Sequence, residues 1–324
     1  MAGIALIRRE QLGGGGPRGR RRLSRQERKR LRDGYLFISP VLLGLFLWVL
    51  GPMFLSLYYS FTNYNVIQAP QVVGTANYRS LLADSTFLHS FEITVIYAAV
   101  SVPCSLAIGL AIALLLHRGG RGIRFYRTIF YIPAVIPIVA GAELWTTMLT
   151  ASPYGVVNYV LMHLHLISKP FEFFSSPNTA LFSLLLMTFW GSAGGSMIIW
   201  LAALQSVPDE LVEAARVDGA GPIRRFWSVV LPLITPTIFF NLVLGMITAL
   251  QTFASNFVIS GGDTGAPLGS LDFVNIFIYR TAFGNFQMGM ASAAAWLMFV
   301  VILVLTLIVF RTSRRWVFYM GSQR

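Results

Sequence analysis

Ser206-Val207-Pro208-Asp209-Glu210-Leu211-Val212-Glu213-Ala214-Ala215-Arg216-Val217-Asp218-Gly219-Ala220-Gly221-Pro222-Ile223-Arg224-Arg225-Phe226-Trp227 is a charged stretch set between two apolar runs, Ala180 to Leu204 and Leu231 to Ile259. Its local signals describe two helices and a tight turn. Ser206, with Asp209 three residues on, offers an N-cap of the capping-box type. Pro208 suits a first turn, where its missing N–H costs little. Gly219 supplies a stop, because glycine enters the left-handed conformation freely. Pro222 opens a second short helix that runs to Leu231-Pro232, where the next apolar run begins. On the first helix Leu211, Ala214 and Ala215 fall at i, i+3 and i+4 and form a small apolar ridge flanked by Glu210, Glu213 and Arg216. Small side chains there let a second protein's backbone come close while the charges fix orientation at the rim. The same ridge would equally suit a solvated helix packed on its own bundle.

Outward from this loop, apolar blocks dominate. A hydrocarbon core takes about 20 predominantly apolar residues to cross, and six segments qualify: Tyr35 to Phe61, Ile93 to Leu116, Tyr126 to Leu149, Ala180 to Leu204, Leu231 to Ile259 and Met288 to Phe310. Across all 324 residues, 55% are hydrophobic and 12% charged, about half the charge of a soluble domain. That composition excludes a water-soluble globule, and 14% aromatic residues exclude a disordered chain. The expected fold is all-α and integral to a membrane, with kinks near Pro103, Pro133, Pro137 and Pro236.

Charge gives the orientation. Cytoplasmic loops retain Lys and Arg, and 22 of the 25 basic residues lie in the two tails and in the alternate loops holding Arg118 to Arg127 and Arg216 to Arg225; the intervening loops hold only Arg79, Lys169 and Arg280. Both termini are therefore expected in the cytoplasm. The net charge of +12 is explained by this asymmetry, and no nucleic-acid partner is needed. Residues 1–34, with Arg20-Arg21-Arg22 and the Gly13 to Gly16 run, read as a disordered tail held to anionic lipid; 35–324 read as the membrane domain, with a loop at 206–231. The first apolar run is too long for a secretory signal core, so it is kept as a mature helix.

Several chemistries have no residues to carry them. ATP hydrolysis needs a glycine-rich loop ending in Gly-Lys-Ser/Thr, and the two lysines, Lys29 and Lys169, follow Arg28 and Ser168. Cys104 is the single cysteine, which leaves no disulfide framework and no multi-cysteine metal site. His163 and His165, two residues apart, point to different faces of a helix and make a poor metal pair. They fall in an expected external amphipathic helix, Gly155 to Ile167. Ion-coupled carriers place acids or histidines in their spans. Glu143 is the one clear candidate, either lining the path or paired to a neighbouring subunit. No constellation for catalysis is present, so the chain is expected not to be an enzyme.

Glu213-Ala214-Ala215, then Asp218-Gly219-Ala220, Phe226 and Leu231-Pro232, resemble the EAA loop of permease subunits of binding-protein-dependent ABC importers. The likeness continues after about Leu36: Ser60-Phe61-Thr62-Asn63-Tyr64, Asn77-Tyr78, Arg127-Thr128 with Ile132-Pro133, Leu201 to Pro208, Gly261-Gly262 and Tyr279-Arg280-Thr281-Ala282-Phe283 look like the carbohydrate-uptake subgroup. The arginine-rich start departs from the family's usual short one. This resemblance implies the type I importer permease fold, with six transmembrane helices and a cytoplasmic coupling helix in a bacterial or archaeal plasma membrane. It implies that Leu211, Glu213, Ala214, Ala215, Asp218 and Gly219 meet a separate ATPase. It further implies two ATPase subunits that bind ATP and Mg, a homologous second permease subunit, a solute-binding protein outside, and no cofactor in this chain. A carbohydrate or related polyol is the implied solute; a non-carbohydrate solute, or a secondary transporter, is the alternative.

The solute path is expected along the fifth span. Thr252, Ser255 and Asn256 stand at helical spacing and, with Asn241, Gln251 and Glu143, offer polar groups toward a pore. Interhelical hydrogen bonding is the other use of such residues. Trp145, Phe189, Trp190 and Trp200 offer stacking surfaces for a sugar, or equally lipid and interface anchors.

Overall fold

The computed structural model describes residues 25–318, apart from Arg118, Arg121, Asp263, Thr264, Ala266 and the side chain of Glu27. The described residues are helical or irregular, with one isolated bridge between Thr62 and Val72. Contacts divide the chain into a first unit ending at Leu55 and a second starting at Ser56.

In the first unit α1 (Arg25–Gly44) passes through a π-helical turn, Leu45–Leu50, into α2 (Gly51–Ser60), which runs on across the division. Helix thus begins ten residues before Tyr35. Arg25 to Gly34, expected in a disordered tail, are helical because Arg, Lys, Gln and Glu are good helix formers and lead into an apolar run. Arg20 to Arg22 and the glycine run lie outside the described residues.

The second unit holds α3 (Ala76–Ala83), α4 (Ser85–His117), α5 (Ile123–Val135), α6 (Ile138–Met148) and α7 (Val156–His163). It continues with α8 (Pro177–Gln205), α9 (Asp209–Val217), α10 (Pro222–Arg225) and α11 (Leu231–Leu250). Last come α12 (Ala254–Ile259), α13 (Val274–Tyr279) and α14 (Met288–Trp316). Among the described residues five helical stretches have the length and composition to cross a membrane, and the bent pair α5–α6 brings the number to six when it is counted as one span.

That bent pair corrects one expected span. Tyr126 to Leu149 is two helices meeting at 98°. Pro137 has no N–H to donate and disfavours helical backbone at the residue before it. Ile136 accordingly sits at φ −71°, ψ 126°. Leu231 to Ile259 is also interrupted: helical hydrogen bonding ends at Gln251, and α12 starts three residues later. The helix expected over Gly155 to Ile167 stops at His163, and His165 takes a positive φ of 56°.

Packing centres on α4 and α8. A larger core joins Ile93, Tyr97, Val102, Leu184, Leu250, Phe273 and Met298. A second, the lower core, gathers Ala113, Leu116, Met197, Trp200, Leu204 and Ile234 where α4 and α8 end and α11 begins. Helix α5 leans on α8 at Gly194, where an added Cβ would collide with the Phe130 carbonyl and the Tyr131 backbone. Elsewhere the apolar surface is uncovered: Ile129, Ile132, Val135, Ile138 and Val139 on α5 and α6 are exposed. Contiguous apolar surface of this kind marks lipid or a partner subunit as its cover.

Candidate functional site

The loop between the fourth and fifth spans is a hairpin of short helices. Asp209 and Glu210 occupy the first turn of α9 and Arg216 the last, complementing the helix dipole at both ends. At the C-terminus the Ala220 N–H donates to the Ala215 carbonyl at 2.9 Å and the Gly219 N–H to the Arg216 carbonyl at 3.1 Å. These two bonds are the Schellman pair. They require the left-handed backbone at Gly219, whose φ is 80°. After Gly221, Pro222 opens α10, which continues through a π-helical turn, Phe226–Val230, straight into α11. The turn is therefore joined to a membrane span without a loop.

One expected cap is absent. Ser206 ends α8 rather than starting α9, and its hydroxyl donates to the Ala203 carbonyl at 2.7 Å. Pro208 is the residue ahead of α9, which has no side-chain cap. The backbone of Ser206 is already in the helical region at φ −82°, ψ −8°, whereas an N-cap takes an extended one.

No residue of α9 is buried. Val212 leans on the lower core, together with Val230 and Leu231. Leu211, Glu213, Ala214, Asp218 and Gly219 are exposed and Ala215 half-buried. Around them stand Val217 at 87% exposure, Ile223 at 75% and Trp227 at 63%. The hairpin is thus stiffened by its C-terminal Schellman pair, seated by one valine, and left with an apolar and charged outer face.

A cavity of about 650 Å³ lies between α4, α5, α6, α8, α11 and α12. Its wall carries the hydroxyls of Tyr97, Ser101, Ser105, Thr188, Ser192, Ser196, Thr248, Thr252 and Ser255, the Asn241 amide, and the indoles of Trp145 and Trp190. No charged residue lines it. Tyr97 Oη and Thr188 Oγ1 lie 3.0 Å apart, and Ser192 Oγ donates to Ser105 Oγ at 3.1 Å, so the same hydroxyls tie α4 to α8. Trp145 and Trp190 meet edge to face with ring centres 5.8 Å apart.

Of the six expected path residues, Asn241, Thr252 and Ser255 reach this wall and Glu143, Gln251 and Asn256 do not. Thr252 lies in the break between α11 and α12, so it shares no helix with Ser255 and Asn256. Asn256 is fully buried, with its Oδ1 accepting from Ser255 Oγ at 3.3 Å. Glu143 is exposed on α6, off the cavity. Asn241 lines the wall while Gln251 is exposed. Trp200 is 1% exposed in the lower core and offers no stacking face.

Sequence reasoning passed over the main hydroxyl row. Ser101 and Ser105 repeat at i and i+4, and Thr188, Ser192 and Ser196 at i, i+4 and i+8. Each set marks one helical face, and two such faces in apolar runs were the available signal. Among the described residues no three His, Cys, Asp or Glu side chains gather as for a metal ion. His163 instead stacks on Tyr159 at 4.9 Å.

Known proteins resemble this chain over most of its length. The family model described as "Binding-protein-dependent transport system inner membrane component" matches residues 105–318. The probable ABC transporter permease protein YesP of Bacillus subtilis is 39% identical over 302 residues, covering 93% of this chain and 96% of that protein. The trehalose/maltose transport system permease protein MalF of Thermococcus litoralis is 32% identical over 285 residues, covering 87% and 93%. Among solved structures, a chain of a bacterial alginate ABC transporter, in complex with its alginate pentasaccharide-bound periplasmic protein, superposes with a TM-score of 0.80. It is 26% identical and covers 90% of this chain and 96% of that one.

Proposed function

Because this chain belongs to the family of inner membrane components of binding-protein-dependent transport systems, we propose that it forms half of the path by which a carbohydrate or related polyol is imported. It is a transport component and not an enzyme. Energy enters from a separate ATPase, which holds the ATP and Mg. This chain's share of the work is mechanical, and the observation that carries the reading is the exposed, self-capped α9 hairpin fused to α11.

A contact transmits work only if its geometry differs between two states of the partner. Helix α9 presents Leu211 and Ala214 for close approach, with Glu213 as a charged contact at the rim. Asp218 and Gly219 fix the turn, so a push on α9 moves α10 and α11 with it. Alternation of the cavity between the two sides follows from that motion. One chain offers one hairpin, whereas two ATPases need two, so a homologous second permease subunit completes the assembly and covers the exposed faces of α5 and α6. Both termini lie in the cytoplasm, with α9 on the same side, and a solute-binding protein delivers from the other. The uncharged, hydroxyl-rich wall suits a solute recognised by hydrogen bonds.

The test is uptake by the assembled complex in vesicles from a mixed pool of sugars and polyols. ATP-dependent accumulation of a member of the pool supports the reading. Full uptake by the purified chain alone, without ATP, contradicts it.

A further inference from the structure

The C-terminal end of α14 carries a feature that transport does not use. Leu307, Arg311, Arg314 and Arg315 fall at i, i+4, i+7 and i+8 and so share one helix face. They border a cleft of about 1110 Å³ whose apolar wall includes Phe239 of α11 and Phe310. The Phe239 ring meets Phe310 edge to face at 5.0 Å and Trp316 at 6.2 Å. Beyond the helix the chain turns back, and the Phe318 N–H donates to Thr235 Oγ1 at 2.9 Å, which fixes the far side of the cleft to α11.

Depth says what fills it. Helix α14 has 29 residues, about 43 Å at 1.5 Å per residue, and outruns a hydrocarbon core of about 30 Å. Arg311 comes 23 residues after Met288, about 35 Å along the axis, so the arginines stand at headgroup level while Leu307 and Phe310 face the acyl chains. No acidic residue lines the cleft, and Arg311 and Arg315 form no ion pair with any described residue. We infer that this cleft is a binding site for one anionic phospholipid, its phosphate held by the three arginines and its acyl chain laid against Phe239, Leu307 and Phe310. A free phosphate matches the arginines and leaves the apolar wall bare.

Native mass spectrometry of the full chain in detergent tests this, with phosphatidylglycerol and phosphatidylcholine of matched chains as probes. The expected result is phosphatidylglycerol bound roughly tenfold to a hundredfold more tightly. Replacing all three residues, Arg311→Gln, Arg314→Gln and Arg315→Gln, should erase that preference and leave the protein monodisperse. Replacing Phe239→Ala should weaken both lipids by a few-fold and keep the preference. Neutralising Arg216, Arg224 and Arg225 instead should leave the preference for phosphatidylglycerol as it was. Equal binding of the two lipids, loss of the preference in the Arg216 set as well, or displacement by 10 mM inorganic phosphate would each overturn the assignment.

Discussion

The α9 hairpin and the hydroxyl-lined cavity are built by opposite means. The hairpin is made by neighbours in sequence: Asp209 and Glu210 at one end, a Schellman pair at the other, and Pro222 restarting the helix. Its tertiary anchor is Val212 on the lower core. The cavity draws its wall from Tyr97 to Ser255, over six helices, and its hydrogen bonds join residues 87 and 91 positions apart. A part that must fit a separate protein can be specified locally, because its outer face needs no internal partner. A part that holds a solute inside a bundle depends on helix packing. Damage to the first should therefore uncouple a well-folded protein, and damage to the second should change transport and stability together.

The largest expected effect comes from Gly219→Val. A β-branched residue at φ 80° is strained by about 1–2 kcal/mol or more, which opens the Schellman pair and misdirects α10. ATP-dependent uptake should fall by more than tenfold and the ATPase should no longer co-purify, while the amount of protein in the membrane stays the same. Next, Ala214→Trp fills the close-approach position on a face with nothing above it. It should leave thermal stability within about 0.5 kcal/mol of the parent and still reduce ATPase binding several-fold, as pull-down measures. Both substitutions break the comparison if they unfold the protein.

Thr188→Val probes the other side. It removes the partner of Tyr97 Oη, a bond at 3.0 Å, and should cost about 1 kcal/mol. A lowered melting temperature together with a few-fold drop in uptake, and full ATPase attachment, is the expected pattern. The smallest effect belongs to Glu213→Ala. An exposed charged contact contributes about 0.2–1 kcal/mol, so ATPase affinity should weaken about twofold to fivefold, more at low salt than at high salt. A loss equal to that of Gly219→Val would show that Glu213 does more than orient.

How much was legible in the sequence follows from the same contrast. The apolar runs located the five long helical stretches and the bent pair among the described residues, and Gly219 and Pro222 were read in their roles, because a positive φ and a missing N–H are properties of single residues. Ser206 was misread as an N-cap because it closes the preceding helix, which continues to Gln205, one residue past the apolar run. Pro137 was expected to kink its span; the 98° break depends on Ile136 leaving helical geometry as well. Thr252 was grouped with Ser255 and Asn256 by spacing, which holds only while the helix is unbroken. A repeat such as Thr188, Ser192 and Ser196 groups residues on one helical face, but whether that face meets the cavity or the packed interior, as Asn256 does, is set by the rotation of one helix against its neighbours.

Helix α9 as the part gripped by a partner ATPase is best tested by a single cysteine. With Cys104 replaced by alanine and Ala214→Cys introduced, the complex assembled with its ATPase is treated with a short thiol-directed photo-crosslinker in sealed inside-out and right-side-out vesicles. The account predicts a cross-link from position 214 to the ATPase, formed only when the reagent reaches the cytoplasmic face and changing in yield when ATP is added. Labelling of position 214 from the outer face, or a fully accessible cysteine that never joins the ATPase, would contradict it.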